Sequence, residues 1–279
     1  MAKKVDAPQT FAIDALSVRV HENQETLADD VAAIARKCLV DVLKEKGSAA
    51  VILATGNSQI QFLASLIALG GVDWSKVTLF HMDEYLGIDG NHPASFRRYM
   101  RERVASRIQP RVFNYIVGDC LEPFQEAERY SRLIKAQPID LCCLGIGENG
   151  HIAFNDPPVA DFGDPHTLKL VKLDDACKWQ QVNEGHFPSL ESVPPYAFTL
   201  TIPTLCSAKR LLCICPEKRK ADAVKAALDG PIDESCPASI LRKQSHATLF
   251  LDRDSAARLE RGNGEVAVQK SEPSGANGL

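Results

Sequence analysis

His151 sits in the run 144–157, Leu-Gly-Ile-Gly-Glu-Asn-Gly-His-Ile-Ala-Phe-Asn-Asp-Pro, after glycines at 145, 147 and 150. An imidazole both accepts and donates a proton near neutral pH. With Asn155 and Asp156 close behind it, the run could do acid/base chemistry, or simply be a turn with a hydrogen-bonded histidine. A second candidate is Asp83-Glu84, directly after the apolar run 77–82. One carboxylate could enter a cleft while the other fixes the loop, and a solvated loop would also use such residues. A third is Thr55-Gly56-Asn57-Ser58, a small polar turn ahead of a helical pattern. Free N–H groups at a helix start suit a phosphate, although Asn and Ser also serve as ordinary caps. A fourth is Lys220, which shares a first helical turn with Lys218 and Arg219. Cations there oppose the helix dipole unless an anion is near, or else they form a solvated face.

The elements that must carry these residues follow from periodicity. Short apolar runs at 49–54, 77–82, 139–144, 197–202, 210–215 and 247–252 read as buried strands, with an edge strand around 16–20. Helical spacing predicts helices from about 27 to 46, 58 to 69, 94 to 107, 122 to 136 and 220 to 228, and a short one over 255–261. Strands alternating with helices predict an α/β fold, a mostly parallel sheet with helices on both faces. Residues 158–196 are irregular and rich in Pro, Gly and Asp, which predicts a lid after the histidine loop. The expected organisation is a loose arm over 1–10, one domain over 11–261 and a disordered tail over 262–279.

Bulk properties exclude several classes. The net charge of −4 offers no basic footprint for nucleic acid. No run is long and apolar enough to cross a bilayer, and residues 1–10 lack the apolar core of a secretory signal. Nine cysteines without a C-x-x-C spacing read as reduced thiols, which predicts a cytoplasmic protein. Cys142, Cys143, Cys213 and Cys215 lie in apolar runs and read as core.

The two stretches Phe80-His81-Met82-Asp83-Glu84-Tyr85 and Gly145 to Pro157 together resemble the glucosamine-6-phosphate deaminase family, itself related to the 6-phosphogluconolactonases. The resemblance runs from about residue 25 to 255. It implies a Rossmann-like doubly wound sheet and an aldose–ketose isomerisation coupled to loss of ammonia. A sugar phosphate is the implied partner, with no metal and no organic cofactor, and a homo-oligomer is compatible with it. By similarity, Asp83 moves the C2 proton to C1 and His151 opens the sugar ring. Asn149 and Asp156 orient the imidazole. Thr55, Gly56, Asn57, Ser58 and Lys220 hold the phosphate, with Glu84 also at the substrate.

Four departures from the family pattern bear on this. Asn57 replaces a glycine, in a turn expected to need left-handed backbone. Asn149 stands where Asp is frequent. Asp156 stands for Glu and is one methylene shorter, which should weaken its hold on His151. The segment 176–182 lacks the arginine that grips phosphate, leaving Lys178 as a substitute without bidentate geometry. Two alternatives follow: a 6-phosphogluconolactonase-type hydrolase, or a non-catalytic sugar-phosphate sensor.

Overall fold

The structure, a computed structural model, describes residues 7–259. In chain order its strands are β1 (Gln9–Ile13), β2 (Leu16–His21), β3 (Ala49–Leu53), β4 (Val77–His81), β5 (Asp83–Tyr85), β6 (Val112–Asn114), β7 (Leu141–Leu144), β8 (Leu168–Lys172), β9 (Tyr196–Leu200), β10 (Leu211–Cys215) and β11 (Ala247–Asp252). The helices are α1 (Gln24–Lys46), α2 (Asn57–Leu69), α3 (Phe96–Met100), α4 (Ser106–Ile108), α5 (Pro123–Lys135), α6 (Asp175–Asn183), α7 (Ile202–Cys206) and α8 (Ala221–Asp229). A π turn, Arg101–Ala105, joins α3 to α4.

Eight strands form one sheet in the order β1-β2-β11-β10-β7-β3-β4-β6. Every pairing in it is parallel except the β1–β2 hairpin. Side chains alternate between faces with a period of two. Ile52, Cys142 and Cys213 therefore join the core on one face, while Val51, Cys143 and Leu212 join the core on the other. Burial on both faces is why these strands read as unbroken apolar runs. Helix α1 starts at a capping box between Asn23 and Thr26, buries Leu27, Val31, Ala35 and Leu39, and ends at left-handed Gly47.

The order in which strands are added reverses between β3 and β7, which themselves run parallel. From β3 the chain continues outward through β4 and β6; from β7 it continues through β10 and β11. Ligands in such sheets bind at the carboxyl ends beside this switch point. The loops after β3, β4, β7 and β10 all leave from that side.

Three expectations are corrected. The expected arm over 1–10 overlaps β1, whose hairpin with β2 fixes Gln9 and Thr10 by pairing with Val20 and Arg19. The segment 158–196, expected to be irregular, contains β8 and α6, and β8 pairs with β9, which pairs with β5, as a three-stranded antiparallel sheet. One face of this small sheet packs on the aromatic cluster of Tyr85, Phe154 and Phe187, while Leu168, Phe198 and Leu200 join the main core. The helix expected over 255–261 is a series of turns as far as it is described, closed by the hydrogen bond from Ser255 N to Asp252 Oδ1. The expected tail, 262–279, lies outside the described residues.

Candidate active site

A cleft of about 610 Å³, open solvent at its mouth included, lies over the switch point. Of the residues singled out from sequence, Thr55, Gly56, Asn57, Ser58, Asp83, His151 and Lys220 line it. Asn149 and Asp156 stand behind His151, and Glu84 faces elsewhere.

The turn after β3 opens α2 toward the cleft. Gly56 is the N-cap residue at φ +101°, a conformation closed to side chains, and no side chain caps the helix. Its carbonyl is pinned by the Tyr99 hydroxyl at 3.0 Å. The first N–H groups of α2 are thus left for a ligand. Asn57 is already helical, so the left-handed turn expected there does not occur, and glycine is not required.

Asp83 begins β5, where it pairs with Thr199 of β9. Its carboxyl is buried and its Oδ1 has no hydrogen-bond partner. Burial first, then the neighbouring Glu84 charge, hold its pKa well above the carboxylate range. Glu84 is fully buried and caps α3. It accepts from Ser95 Oγ at 2.9 Å, Phe96 N at 3.0 Å, Arg97 N at 2.8 Å and Tyr85 N at 3.1 Å. That corrects its expected place at the substrate: all these donors hold it on the helix side of β5, because side chains alternate along a strand.

The glycine loop after β7 folds back so that the His151 ring lies on Gly147. His151 Nδ1 lies 2.7 Å from Asn149 Oδ1 and 3.0 Å from Asp156 Oδ1. Asn149 Nδ2 donates to Asp156 Oδ1 at 3.0 Å, which fixes the amide's orientation. Two acceptors at Nδ1 place the proton there and leave Nε2 with its lone pair. Burial pushes Asp156 up, but electrostatic attraction to the His151 ring and its hydrogen bond, with Asn149 and Asp174 N, outweigh it and keep the carboxylate ionised. The shorter Asp156 side chain therefore still reaches His151.

Lys220 follows β10 at the far wall. It is buried, and burial lowers its pKa. Among the described residues its ammonium forms no ion pair. Arg219 beside it is tied to Glu148, Glu184 and Glu217. Lys178 pairs with Asp175 and does not line the cleft, so it does not replace the absent arginine.

Sequence reading missed the contribution of α6 and its neighbours. Gln180, Gln181, Glu184, His186 and Phe96 also line the cleft, together with Phe154 and Arg219, which the sequence places beside His151 and Lys220. Gln180 accepts from Glu148 N at 2.9 Å and donates to Glu184 at 2.8 Å; Gln181 accepts from the Tyr85 hydroxyl at 2.7 Å. The signal was present as polar residues at 180 and 181 on one short helix and at 184 just past its end. Burial pushes the Glu184 carboxyl up, but His186 and Arg219 overcome this and hold it down at about 2.

The model of the family described as glucosamine-6-phosphate isomerases/6-phosphogluconolactonase matches residues 22–250. Among similar proteins, a glucosamine-6-phosphate deaminase 1 of Bacillus subtilis is 33% identical over 82% of this chain and 95% of its own length. A glucosamine-6-phosphate deaminase of Exiguobacterium sibiricum is 31% identical over 83% of this chain and 90% of its own length. Among solved structures, a monomeric glucosamine-6-phosphate deaminase superposes with a TM-score of 0.79 at 32% identity, over 86% of this chain and 98% of that one. A 6-phosphogluconolactonase from Thermotoga maritima superposes at 0.68 with 21% identity, over 85% of this chain and 99% of that one, a likeness of fold. The chain belongs to the glucosamine-6-phosphate isomerase/6-phosphogluconolactonase family.

Proposed function

We propose that the protein is an amino-sugar-phosphate deaminase, converting glucosamine 6-phosphate or a close analogue to a ketose phosphate and ammonia. The observation that carries this is one cleft holding two differently tuned groups: a buried carboxyl with an unpartnered oxygen, and an imidazole held by its other nitrogen. The relatives named as glucosamine-6-phosphate deaminases support it.

The sugar phosphate is anchored by the N–H groups of α2, the hydroxyls of Thr55 and Ser58, and the Lys220 ammonium. His151 Nε2 moves the proton that opens the ring, while Asn149 and Asp156 keep its tautomer. Asp83 then takes the C2 proton as electrons shift toward the C1 carbonyl oxygen, which takes up a proton from solvent. The same carboxyl returns the proton at C1. The resulting C2 imine adds water and releases ammonia. A base shielded from water with a raised pKa suits removal of a carbon-bound proton and its return one atom away. With free thiols and no helix among the described residues able to cross a membrane, a cytoplasmic setting fits this chemistry.

Ammonia release from glucosamine 6-phosphate and galactosamine 6-phosphate, wild type beside Asp83→Asn, tests the proposal. Release by the wild type and its fall by about 10²–10⁴-fold in the variant is the expected result. Equal release by both proteins would remove Asp83 from its role. No release from either sugar, with turnover of 6-phosphogluconolactone above the spontaneous rate, would replace the deaminase by the lactonase.

A further inference from the structure

Cys177 lies on α6 directly behind the His151–Asp156 pair. It does not line the cleft, and the reaction above does not use it. Cys177, His151 and Asp156 are all buried, and one ligand atom from each lies within 4.8 Å of the other two. His151 Nδ1 is 3.0 Å from Asp156 Oδ1 and 2.7 Å from the amide oxygen of Asn149.

We propose that His151, Asp156 and Cys177 form an inhibitory site for a soft divalent cation, of which zinc fits best. Zinc binds sulfur at about 2.3 Å and nitrogen or oxygen at about 2.0–2.2 Å, so its tetrahedral ligand atoms stand roughly 3–4 Å apart. One thiolate, one imidazole and one carboxylate leave a fourth position, next to Asn149 Oδ1. Magnesium and calcium prefer all-oxygen sets and are poor candidates. The thiolate and carboxylate together balance the two charges of the ion.

The bonds define the consequence. The cation takes the lone pair of Nδ1, whose proton moves to Nε2. The Cys177 thiol releases its proton to solvent, so one proton leaves per ion bound. With Nε2 protonated and Nδ1 on the metal, His151 no longer accepts a proton from the sugar, and ring opening stops. That inhibition rests on the proposed deaminase activity; the site itself does not.

Two readouts separate the possibilities. Cobalt(II) added to the wild type should give a thiolate-to-metal charge-transfer band that saturates at one ion per chain and is displaced by zinc. The band should vanish in Cys177→Ser. Zinc should abolish ammonia release, and a chelator should restore it. Cys177→Ala should keep its basal turnover and need at least about tenfold more zinc for the same inhibition. No band in the wild type, a band that survives in Cys177→Ser, or equal zinc sensitivity in Cys177→Ala would overturn the proposal. If the wild type turns over no amino-sugar phosphate, the deaminase reading fails alone, since the cobalt band still decides the site.

Discussion

A methyl group on Gly147 would fall 2.2–2.3 Å from three atoms of the His151 ring. Real contacts never approach so closely, so the ring must move. Gly147 itself has backbone angles that alanine can adopt, because it is absent from the glycines with positive φ. Gly147→Ala should therefore leave the fold intact and displace the imidazole from Asn149 and Asp156. A shift on the order of 1 Å at a reacting group costs about 10²-fold in rate. We expect kcat to fall by that order, with the melting temperature and the KM for substrate little changed. A variant with wild-type kcat would show that contact with Gly147 does not place the ring. Sequence disclosed the glycine and the histidine, but not their stacking, since close contact across a folded loop leaves no periodic trace. Asp156 was legible as a carboxylate close behind His151, and Asn149 was named only by resemblance; the three-way contact at Nδ1 depends on how the loop closes.

At the level of elements, β5 carries two carboxyls with opposite duties, and α3 depends on one of them. Glu84 accepts three hydrogen bonds from the start of α3 and one from Tyr85 N. A glutamine keeps one acceptor oxygen and turns an NH2 group toward these donors. Hydrogen bonds to a charged group contribute about 1.5–3 kcal/mol, and part of that is lost in Glu84→Gln. At about 2–4 °C per kcal/mol for a domain of this size, the melting temperature should fall by several degrees. The Glu84 charge also helps raise Asp83. Removing it lowers the Asp83 pKa, so the acid limb of kcat/KM should move to lower pH. An acid limb that stays in place, or moves up, would contradict this coupling. The strands and long helices were legible because both faces of the main sheet are buried and α1 has a clean apolar stripe. The small sheet was not. Its strands β5 and β8 are short or half exposed, and their partner β9 comes more than a hundred residues after β5. The polar wall supplied by α6 escaped for the same reason.

Taken as one folded object, the protein holds Asp83 at a cost to stability, and that cost depends on pH. In the unfolded chain an aspartate titrates near 3.8; in the fold Asp83 holds its proton to a higher pH, chiefly because it is buried. Below the unfolded value both states are protonated and no penalty exists. As pH rises above it, the unfolded chain ionises first and gains a stabilisation the native state lacks, until the folded pKa is passed. Native stability is therefore reduced across the neutral range relative to a chain with no charge to bury. Asn at 83 has the same shape and no titration. Asp83→Asn should thus melt higher than the wild type at pH 7–8 while losing its ammonia release. The gain should shrink steadily as pH falls toward 4. Melting curves of both proteins from pH 8 to 4 measure this directly. A variant that melts lower at neutral pH, or whose advantage persists undiminished at pH 4, would mean that burial of Asp83 is not what sets its proton affinity. The functional carboxyl would then owe its behaviour to the bound sugar rather than to the fold, and the β5 strand would be only its tether.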